Sequence, residues 1–508
     1  MRIFLGLLAV LSVALLAGVA TAKAGDGGRD TKADYTPFDE FTPLQSSSTC
    51  PGAGAGRQAQ PFDLPAGYVQ QVVAEQADPL PNLPVDPTQP TQTANEDLWD
   101  MNTQNESGRD AGRYVYRTHE VGTGAPGSPP RAPGGAQVTV TDLETGVTFN
   151  LAERNDWERF DGIAWTPWGT LLAAEEVIVA AQRDPTVPQA VGGLVYELFI
   201  DRDEPWKLDP SREPITPGDG TTDTVQDGIR ARPALGSKSH EGLRFDERGY
   251  FYGIAESRGQ TIANQSGGIF RFIPDRKGDL STGTLSALRT SDRRYGAGTW
   301  VDLDRTQVQI NADVHAKASD VNPYERPEDV ETGVSTGRDS LNRGWTVYVA
   351  ITDGPENGVL AIDVSDEDEP FAYAYVGPVA GNAVNPTFTS ADNLALDREG
   401  NLAITEDGGA EGGGDDIWIA EPPRSANTHE PAANAERFAS IRDCDAEPTG
   451  IYFLLAGTER YTRSPTSPLK GYDEDTANGE TLLVNRQHSG ETTTVDQALA
   501  ITPADDDD

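Results

Sequence analysis

Short runs of alternating apolar and polar residues recur along this chain, and turn-forming residues separate them. Examples are residues 138–141, 194–200 and 268–273. A period of two residues is typical of β-strands with one buried face, whereas the longer period of an amphipathic helix is nearly absent. The pattern therefore predicts an all-β protein built from many short strands.

Three segments align on a common turn, and each has an acid eight positions before a glycine: residues 161–169, 241–249 and 392–400. Each turn begins with Thr or Asp and ends with Gly, which favours a type I turn closing a hairpin. A second acid follows each glycine by seven positions, at Glu176, Glu256 and Asp407. Because hairpin strands are antiparallel, we expect both acids at the same end of each hairpin.

Looser copies of this unit begin at Glu328 and Glu447, and an earlier one around residues 112–120 makes six. A repeated β unit cannot bury both faces alone, so its copies must stack. We therefore expect a six-bladed β-propeller, with long inter-strand insertions because the units are spaced more widely than the roughly 40–50 residues of a usual blade. A two-sheet sandwich is the alternative, since hairpins alone do not fix closure.

The ends of the chain differ from its middle. Residues 1–24 have a charge, an apolar run and a small-residue cleavage site, which predicts a Sec-type signal peptide and a secreted or periplasmic protein without stable membrane insertion. Residues 25–62 are predicted to be a flexible N-terminal arm, residues 63–495 the propeller, and residues 496–508 an acidic C-terminal tail.

The chain is strongly acidic, with 81 Asp and Glu against 40 Lys and Arg and a net charge of −41. Such a surface repels nucleic acid and anionic membranes, so neither is expected as a partner. Solubility in a salty medium is one interpretation of this charge, and collection of cations is another.

Only two cysteines occur, Cys50 and Cys444. In a secreted protein they permit a single intramolecular disulfide, although two buried free thiols are the alternative.

The repeated acids indicate a metal site. In a propeller the innermost strands line a central channel, so acids at one end of every hairpin would converge there. Converging carboxylates cannot all stay ionised without cations, and oxygen ligands favour Ca²⁺, Mg²⁺, Mn²⁺ or Fe³⁺. The alternative is that these acids cap surface turns. Arg326, two positions before Glu328, either binds an anionic substrate group or neutralises that acid.

Several motifs extend across most of residues 63–495. They are Thr-Pro-Trp-Gly-Thr-Leu-Leu-Ala-Ala-Glu-Glu at 166–176, Ser-His-Glu at 239–241, Arg-Pro-Glu at 326–328, Ser-Ala-Asp-Asn at 390–393, Glu-Pro-Thr-Gly at 447–450 and Val-Asn-Arg-Gln-His-Ser-Gly at 484–490. Together they resemble the PhoX-type alkaline phosphatase family.

This resemblance implies a six-bladed propeller whose central cluster of Fe³⁺ and Ca²⁺ hydrolyses phosphate monoesters, with a small-molecule phosphate ester as the substrate. It implies that Arg326 holds the phosphate. The metal ligands that it implies are Glu175, Glu176, Glu241, Glu328, Asp392 and Asp407.

The chain departs from the family pattern at three positions. The family's phosphatases have an iron-ligating cysteine immediately before the paired glutamates, where this chain has Ala174, and an asparagine before an early His-Glu pair, where it has Thr118. Family members are usually exported by a twin-arginine signal, but here Arg2 stands alone. We therefore expect Ca²⁺ rather than Fe³⁺. A non-catalytic calcium-binding propeller and a calcium-dependent lactonase-type hydrolase remain alternative functions.

Overall fold

The computed structural model describes most of the chain between Phe38 and Ala504. The described residues are 38–49, 60–82, 95–122, 135–180, 183–257, 267–333, 345–354, 357–377, 380, 383–384, 388–408, 414–423, 429–443, 446–455, 458–462, 464–469, 481–487 and 495–504. The predicted signal peptide and the predicted disulfide between Cys50 and Cys444 lie outside them.

Strands dominate the described residues. They are β1 (Phe62–Asp63), β2 (Tyr68–Glu75), β3 (Trp99–Gln104), β4 (Tyr114–His119), β5 (Gln137–Asp142), β6 (Val147–Glu153), β7 (Phe160–Trp165), β8 (Leu171–Glu175), β9 (Val195–Leu198), β10 (Ile229–Ala231), β11 (Leu243–Phe245), β12 (Phe251–Ile254), β13 (Ile269–Arg276), β14 (Asp279–Thr290), β15 (Gly296–Asp302), β16 (Pro327–Thr332), β17 (Thr346–Ile351), β18 (Gly358–Asp363), β19 (Phe371–Val376), β20 (Ala383–Val384), β21 (Ala391–Leu396), β22 (Leu402–Glu406), β23 (Asp416–Glu421), β24 (Asn434–Ile441), β25 (Glu447–Phe453), β26 (Leu482–Gln487) and β27 (Gln497–Pro503).

Helices are few among the described residues. The α-helices are α1 (Gln307–Ala318) and α2 (Glu459–Thr462), and 3₁₀ turns occur at Pro210–Arg212 and Pro233–Leu235. Helix α1 is interrupted at Asn311, which has extended backbone angles. No helix in the described part of the chain is both long and apolar enough to cross a membrane.

The strands form five sheets. Their orders are β3-β4-β5-β6; β10-β9-β8-β7; β11-β12-β13-β14-β15-β19-β18-β17-β16; β1-β24-β23-β22-β21, with β20 also paired to β24; and β2-β27-β26-β25. Strand β20 is parallel to β24, and the other pairs are antiparallel. Successive strands along the chain are mostly neighbours, which is the expected result of short hairpin connections.

The three predicted turns close hairpins as expected. The backbone N–H groups of Gly169, Gly249 and Gly400 donate to the carbonyl oxygens of Thr166, Asp246 and Asp397, at 3.0, 2.9 and 3.2 Å. Each glycine has a positive φ, between 80° and 90°. Glycine accepts this conformation without the steric cost that a Cβ would bring.

The first strand of each hairpin, here called its inner strand, contacts the inner strand of the next hairpin, and together the inner strands form a closed cycle. Contacts run from β3 to β7, β11, β16, β21 and β25, and then back to β3. A closed cycle of sheet edges is typical of radial repetition and differs from the two facing layers of a sandwich. The fold is therefore all-β and propeller-like, as the alternating pattern and the repeat predicted.

Apolar side chains fill the spaces between neighbouring sheets. One cluster, for example, joins Tyr116 of β4 to Trp157, Phe160 and Tyr196 beside and within the next sheet. Burying aromatic side chains of this size stabilises the fold by roughly 1.5–3 kcal/mol each. The sheets are thus held to their neighbours, which fixes the positions of their inner strands.

The two ends of the described chain are packed into the fold. Residues 497–503 form β27 between β26 and β2, so the predicted acidic tail begins too early. The apolar residues of the Ala498–Ile501 stretch explain this difference, because all of them are buried. Near the other end, within the predicted flexible arm, Phe38 is fully buried against Phe438 and Phe453.

Candidate metal centre

The hairpins surround, at one of their ends, a polar cavity of about 470 Å³, which we name the acidic cavity. Nine of its lining residues are acids: Asp100, Glu120, Asp161, Glu176, Glu241, Asp392, Asp407, Asp415 and Glu447. The other lining residues are Arg159, Arg326, Gly408, Ala446, Thr449 and Gln487. The predicted convergence of acids from several hairpins is therefore observed.

Strand register explains why paired acids share one end of each hairpin. Phe160 of β7 pairs with Glu175 of β8, so Asp161 and Glu176 lie diagonally on either side of this pair, at the same end of the hairpin. The same relation holds in the β21–β22 hairpin, where Ala391 pairs with Glu406. The acids that follow this pair, Asp392 and Asp407, both line the cavity.

A β-bulge recurs in the inner strands at the cavity end. Between two paired positions, the inner strand has one residue more than its partner, at 100–101, 161–162, 328–329, 392–393 and 450–451. In four of these the first residue of the bulge is an acid, and Gly450 takes that place in β25. Because a bulge locally breaks the alternation of side chains, it can re-aim a carboxylate toward the channel.

Two groups of carboxylates are close enough to hold metal ions. Glu176, Glu241 and Glu256 form one group, and Glu241, Glu328 and Asp392 form the other; within each group the ligand oxygens lie within 4.8 Å of one another. Glu241 belongs to both groups. A carboxylate has two oxygens, so Glu241 could contribute to two neighbouring cation sites.

Burial and mutual repulsion shift these acids toward their neutral form. Burial raises the pKa of Glu241 well above its usual range, and the charges of Glu328 and Asp161 add to this effect. Burial likewise raises the pKa of Asp392, with further contributions from Glu328 and Asp407. The pKa of Glu328 is raised to about 8 by burial, although Arg326 beside it acts in the opposite direction.

The residues present fit hard, multivalent cations. Nine lining acids face only two arginines, so the cavity needs protons or metal ions to offset its negative charge. Its ligand atoms are carboxylate oxygens, which suit Ca²⁺, Mg²⁺, Mn²⁺ and Fe³⁺ better than soft metals. The acidic groups could therefore hold a metal, and their chemistry does not choose one ion among these.

Arg326 is the less exposed of the two arginines that line the cavity, with 16% of its side chain exposed. Its guanidinium lies 3.0 Å from Glu256, 2.5 Å from Glu328 and 2.6 Å from Asp407. Burial alone would lower the pKa of Arg326, but the charges of Glu328, Asp407 and Glu241 raise it above its ordinary value, so the side chain stays charged. With three carboxylate partners, Arg326 joins hairpins that are far apart in the sequence.

Arg159 is a second cavity arginine, and sequence reasoning missed it. It stands two positions before Asp161, as Arg326 stands two positions before Glu328, and both arginines have a positive φ, 41° and 54°. Its side chain is 52% exposed and lies 3.7 Å from Glu176. The sequence contained the information needed to find Arg159, because Arg326 was singled out for the same reason: it stands two positions before a repeated acid.

The structure brings together six of the seven predicted site residues: Arg326, Glu176, Glu241, Glu328, Asp392 and Asp407. Glu175 does not line the cavity. Its carboxylate accepts hydrogen bonds from the backbone N–H groups of Glu158 and Leu194, both at 2.9 Å. Burial raises the pKa of Glu175 to about 8.

Ala174, which stands where the family's phosphatases have a cysteine, is buried in an apolar cluster with Leu172 and Val195.

Glu256 was recognised in the repeat but was not selected as a ligand, although it belongs to the first carboxylate group. Other cavity acids that the predicted ligand set omitted are Asp100, Glu120, Asp161, Asp415 and Glu447. Asp161 and Glu120 stood at repeat positions, so their spacing carried the signal. Asp415 follows a glycine-rich stretch without a repeat position, and nothing in its local sequence marked it.

Hydrogen bonds connect neighbouring hairpins all around the cavity. The donor and acceptor pairs are Thr118 Oγ1 to Asp161 O (2.5 Å), Arg244 Nη1 to Ile163 O (3.2 Å), Gly242 N to Glu328 O (3.0 Å), Leu394 N to Asp329 Oδ2 (2.8 Å), Gly450 N to Asn393 Oδ1 (2.6 Å) and Thr449 Oγ1 to Trp99 O (2.8 Å). These bonds are buried, so they hold the carboxylates in a fixed arrangement.

Comparison with known proteins gives a consistent result. The model of the family described as "Alkaline phosphatase PhoX" matches residues 162–458, more than half of the chain. A search of curated protein sequences finds no significant match.

Among solved structures, PhoX from Pseudomonas fluorescens in complex with vanadate, a transition state analogue, matches with a TM-score of 0.58 and 18% identity, covering 91% of this chain and 97% of that one. A luciferin-regenerating enzyme matches with a TM-score of 0.43 and 10% identity, covering 86% of this chain and 98% of that one. A gluconolactonase from Xanthomonas campestris has a TM-score of 0.41 and 10% identity, with coverages of 92% and 97%. The first of these shows a shared fold.

Proposed function

This chain belongs to the alkaline phosphatase PhoX family, and from that premise we propose that it is a metal-dependent phosphatase that hydrolyses small phosphate monoesters in the acidic cavity. One observation carries the proposal: two largely buried carboxylate groups share Glu241, and Arg326 lies beside them in the same cavity. An anionic phosphate is repelled by the many acids of this cavity. Bound cations and a neighbouring guanidinium would offset that repulsion and attract the phosphate oxygens.

The proposed metal ligands are the members of the two carboxylate groups, with Asp407 beside them. Glu175 is left out because its carboxylate binds backbone N–H groups. When bound, the cations would supply Lewis-acid polarisation of the phosphoryl oxygens and offset the charge that develops there. The carboxylates would hold the cations, and the buried hydrogen bonds between neighbouring hairpins keep those carboxylates from moving apart.

The arginines are proposed to bind the phosphoryl group. Arg326 pairs with three carboxylates, and all three belong to the proposed metal ligands. With cations bound to these carboxylates, the N–H groups of Arg326 would be available to phosphate oxygens. Arg159 is more exposed and has only long ion pairs, so it is suited to meet the ester at the cavity mouth.

Calcium is the proposed resident ion, with Fe³⁺ as the second choice. The ligand atoms are carboxylate oxygens, which Ca²⁺ binds readily. Ala174 supplies no thiolate, so a soft ligand that would favour iron is missing at that position. The signal-peptide pattern of residues 1–24 supports export before metal loading, into a medium where calcium is plentiful.

Six blades are proposed for the propeller. The nine-stranded sheet consists of two antiparallel runs, β11–β14 and β16–β19, that are joined where β15 pairs with β19. Counting these runs separately gives six sheets around the channel, which agrees with the six inner strands in the closed cycle.

Substitution of Arg326 tests the phosphatase proposal. With p-nitrophenyl phosphate as substrate, Arg326→Ala is expected to lower kcat/KM by about 100-fold or more, as expected for the loss of a phosphoryl-binding cation. Arg293→Ala is the matched control, because Arg293 forms an exposed ion pair with Asp320 away from the cavity residues. Unchanged turnover in a folded Arg326→Ala protein would remove Arg326 from the proposal.

A calcium-binding propeller without catalytic activity is the second candidate. Ala174 favours it, because the family's phosphatases carry a cysteine there. In that case the protein would bind Ca²⁺ with the same carboxylates, yet no phosphate ester would be turned over by either the wild type or the Arg293→Ala control.

A further inference from the structure

Large apolar side chains are seldom exposed in the described part of the chain. Those that are strongly exposed are Val69, Ile178, Val179, Ile215, Val225 and Val314. Single exposed aliphatic side chains are normal on a protein surface, whereas contiguous ones often mark a binding surface. Among these six residues only Ile178 and Val179 are adjacent in the sequence, and they are 55% and 63% exposed. We name them the apolar pair.

The apolar pair lies at the end of the hairpins that surrounds the acidic cavity. Strand β8 runs toward this end and is followed directly by Glu176, which lines the cavity. Ile178 and Val179 come two and three residues after Glu176, so the chain places them within about 7–10 Å of it. The backbone N–H of Glu176 donates to the carbonyl oxygen of Arg159 at 2.8 Å, and Arg159 is the half-exposed arginine of the cavity. The pair therefore lies beside the cavity opening.

Backbone hydrogen bonds hold the segment that carries the apolar pair. On one side of the pair, the N–H of Gly193 donates to the carbonyl oxygen of Val177 at 2.9 Å. On the other side, the N–H of Ala180 donates to the carbonyl oxygen of Val191 at 3.0 Å, and Ala180 is buried. The backbone is thus anchored before and after the pair, so a ligand that contacts these side chains has little backbone freedom to remove.

The charge of the molecule restricts which ligand group suits this position. Nine acids line the cavity, and the whole chain has a net charge of −41. A group with additional negative charge is repelled by such surroundings. An uncharged apolar group is not repelled, and it gains free energy when it is removed from water against two aliphatic side chains. The surroundings therefore favour an uncharged, apolar group next to the cavity opening.

We propose that the apolar pair receives the alcohol portion of the ester, and that the substrates are phosphate monoesters of uncharged, apolar alcohols. This inference rests on the proposed phosphatase function, because a phosphoryl group in the acidic cavity places the alcohol at the cavity opening. A chain of about six carbons can cover the 7–10 Å between Glu176 and the pair, whereas an ethyl group ends before it. Ile178 and Val179 then determine selectivity among esters and take no part in the phosphoryl chemistry.

Calorimetry with two alkylphosphonates tests this selectivity without requiring turnover. Ethylphosphonate and hexylphosphonate have the same anionic head group and a P–C bond that is not hydrolysed, and they differ by four methylene groups. In the full-length protein with Ca²⁺, we expect hexylphosphonate to bind about tenfold or more tightly, because its outer methylene groups contact the pair. In the double variant Ile178→Ser, Val179→Ser the two affinities should agree within about twofold, because the apolar surface is gone.

Two controls isolate the effect of the apolar surface. Val225→Ser is the matched control, because Val225 is 59% exposed in the loop before β10 and does not line the acidic cavity. It should keep the preference for hexylphosphonate. The double variant Ile178→Leu, Val179→Leu retains apolar side chains and should also keep it. Substitutions at such exposed positions usually change stability little, so all variants should melt near the wild-type temperature.

Equal affinity of the wild type for the two phosphonates would overturn this inference, and so would a preference that survives the double serine variant. A second copy of the chain is the other occupant that an apolar surface can have. If the serine substitutions lower the molecular mass in sedimentation and leave the preference unchanged, the pair is a contact between copies and the inference is wrong. Failure of both phosphonates to bind would count against the phosphatase proposal itself, and this inference would fall with it.

Discussion

Glu175 and Glu176 are adjacent, yet they have different environments. Glu175 is the last residue of β8 and binds two backbone N–H groups, whereas Glu176 follows the strand and lines the acidic cavity. Successive side chains of a strand point to opposite sides, so two neighbouring carboxylates rarely reach the same ion. The motif Glu-Glu thus contributes one structural acid and one proposed metal ligand.

Matched substitutions separate these two roles. Glu175→Gln should lower the free energy of unfolding by about 1–3 kcal/mol, because the amide group cannot accept both backbone hydrogen bonds. Its bound metal should stay unchanged. Glu241→Gln should remove bound metal without destabilising the chelator-treated protein, because it takes one charge out of a repelling group. Denaturant titration and elemental analysis of both variants check this, and metal loss in Glu175→Gln instead would contradict it.

For single residues, the repeat marked most of the acids that meet in the cavity, and the family resemblance selected the predicted ligands among them. Glu241, Glu328, Asp392 and Asp407 all lie at the carboxylate groups or the cavity wall, whereas Asp161 and Glu256 stood at repeat positions and were not selected. Asp415 reaches the cavity from a loop after a glycine-rich stretch, and local spacing does not report where such a loop folds. Arg159 was predictable, because its offset from Asp161 matches that of Arg326 from Glu328.

Within the strands, the β-bulge is the element that directs a carboxylate of the inner strand into the acidic cavity. It recurs where the inner strands meet the cavity, and residues inside or next to it approach the neighbouring strand closely. A Cβ built on Gly162 would lie 1.9 Å from the carbonyl oxygen of Glu241, and one on Gly242 would lie 2.0 Å from Asp329. Only glycine lets the backbones come this near, so these positions fix the distance between adjacent carboxylates.

Gly162→Ala should therefore disturb both stability and metal binding. The added methyl group collides with backbone, which cannot move away as a flexible side chain would, so we expect a loss of about 3 kcal/mol or more. Gly122→Ala is the control, since its nearest atom would be a side-chain oxygen at 3.4 Å. Thermal unfolding of both variants decides the matter. A Gly162→Ala protein as stable as Gly122→Ala would show that the strands can separate without cost.

Residues 38–49, which precede β1, form a second element, and this N-terminal segment supports the acidic cavity. Ser47 donates to Asp416 at 2.8 Å, and the backbone N–H of Gly414 donates to the Ser48 carbonyl oxygen at 3.1 Å. Asp415 lies between these two contacts and lines the acidic cavity. The N-terminal segment therefore holds the loop that carries Asp415 into the cavity. The composition of the segment did not predict these contacts.

Phe38→Ala tests whether that segment is part of the stable fold. Phe38 is fully buried and packs against three aromatic rings, so its removal should cost about 3–5 kcal/mol in denaturant unfolding. Phe41 is only partly buried and contacts Phe438, so Phe41→Ala should cost clearly less. Equal, small losses in both variants would mean that the segment packs without contributing to stability.

In the described part of the chain, the inner strands form a closed cycle that brings acids together in one cavity. The fold class followed from the period-two pattern and the repeated turns, both of which are local. The closure of the last sheet did not, because β27 pairs with β2 from the other end of the chain. Pairing between distant segments leaves little trace in either segment alone.

Metal and pH should act on stability together. Because the folded-state pKa of Glu328 is raised from 4.5 to about 8, the folded metal-free protein holds a proton in this range that the unfolded chain has released. Stability therefore falls as pH rises from about 4.5 through about 8. Under the proposed function, bound Ca²⁺ would replace the proton and would need the ionised acid, so its stabilising effect should grow with pH. Thermal melts with chelator and with Ca²⁺ measure both trends, and a calcium effect independent of pH would contradict this linkage.

The most direct test combines elemental analysis of the purified protein with p-nitrophenyl phosphate hydrolysis before chelation, after chelation and after Ca²⁺ is returned. We predict at least two cations per chain, one for each carboxylate group, and turnover that chelation abolishes and Ca²⁺ restores. Full turnover in the metal-free protein, or bound cations without any turnover, would contradict a metal-dependent phosphatase in the acidic cavity.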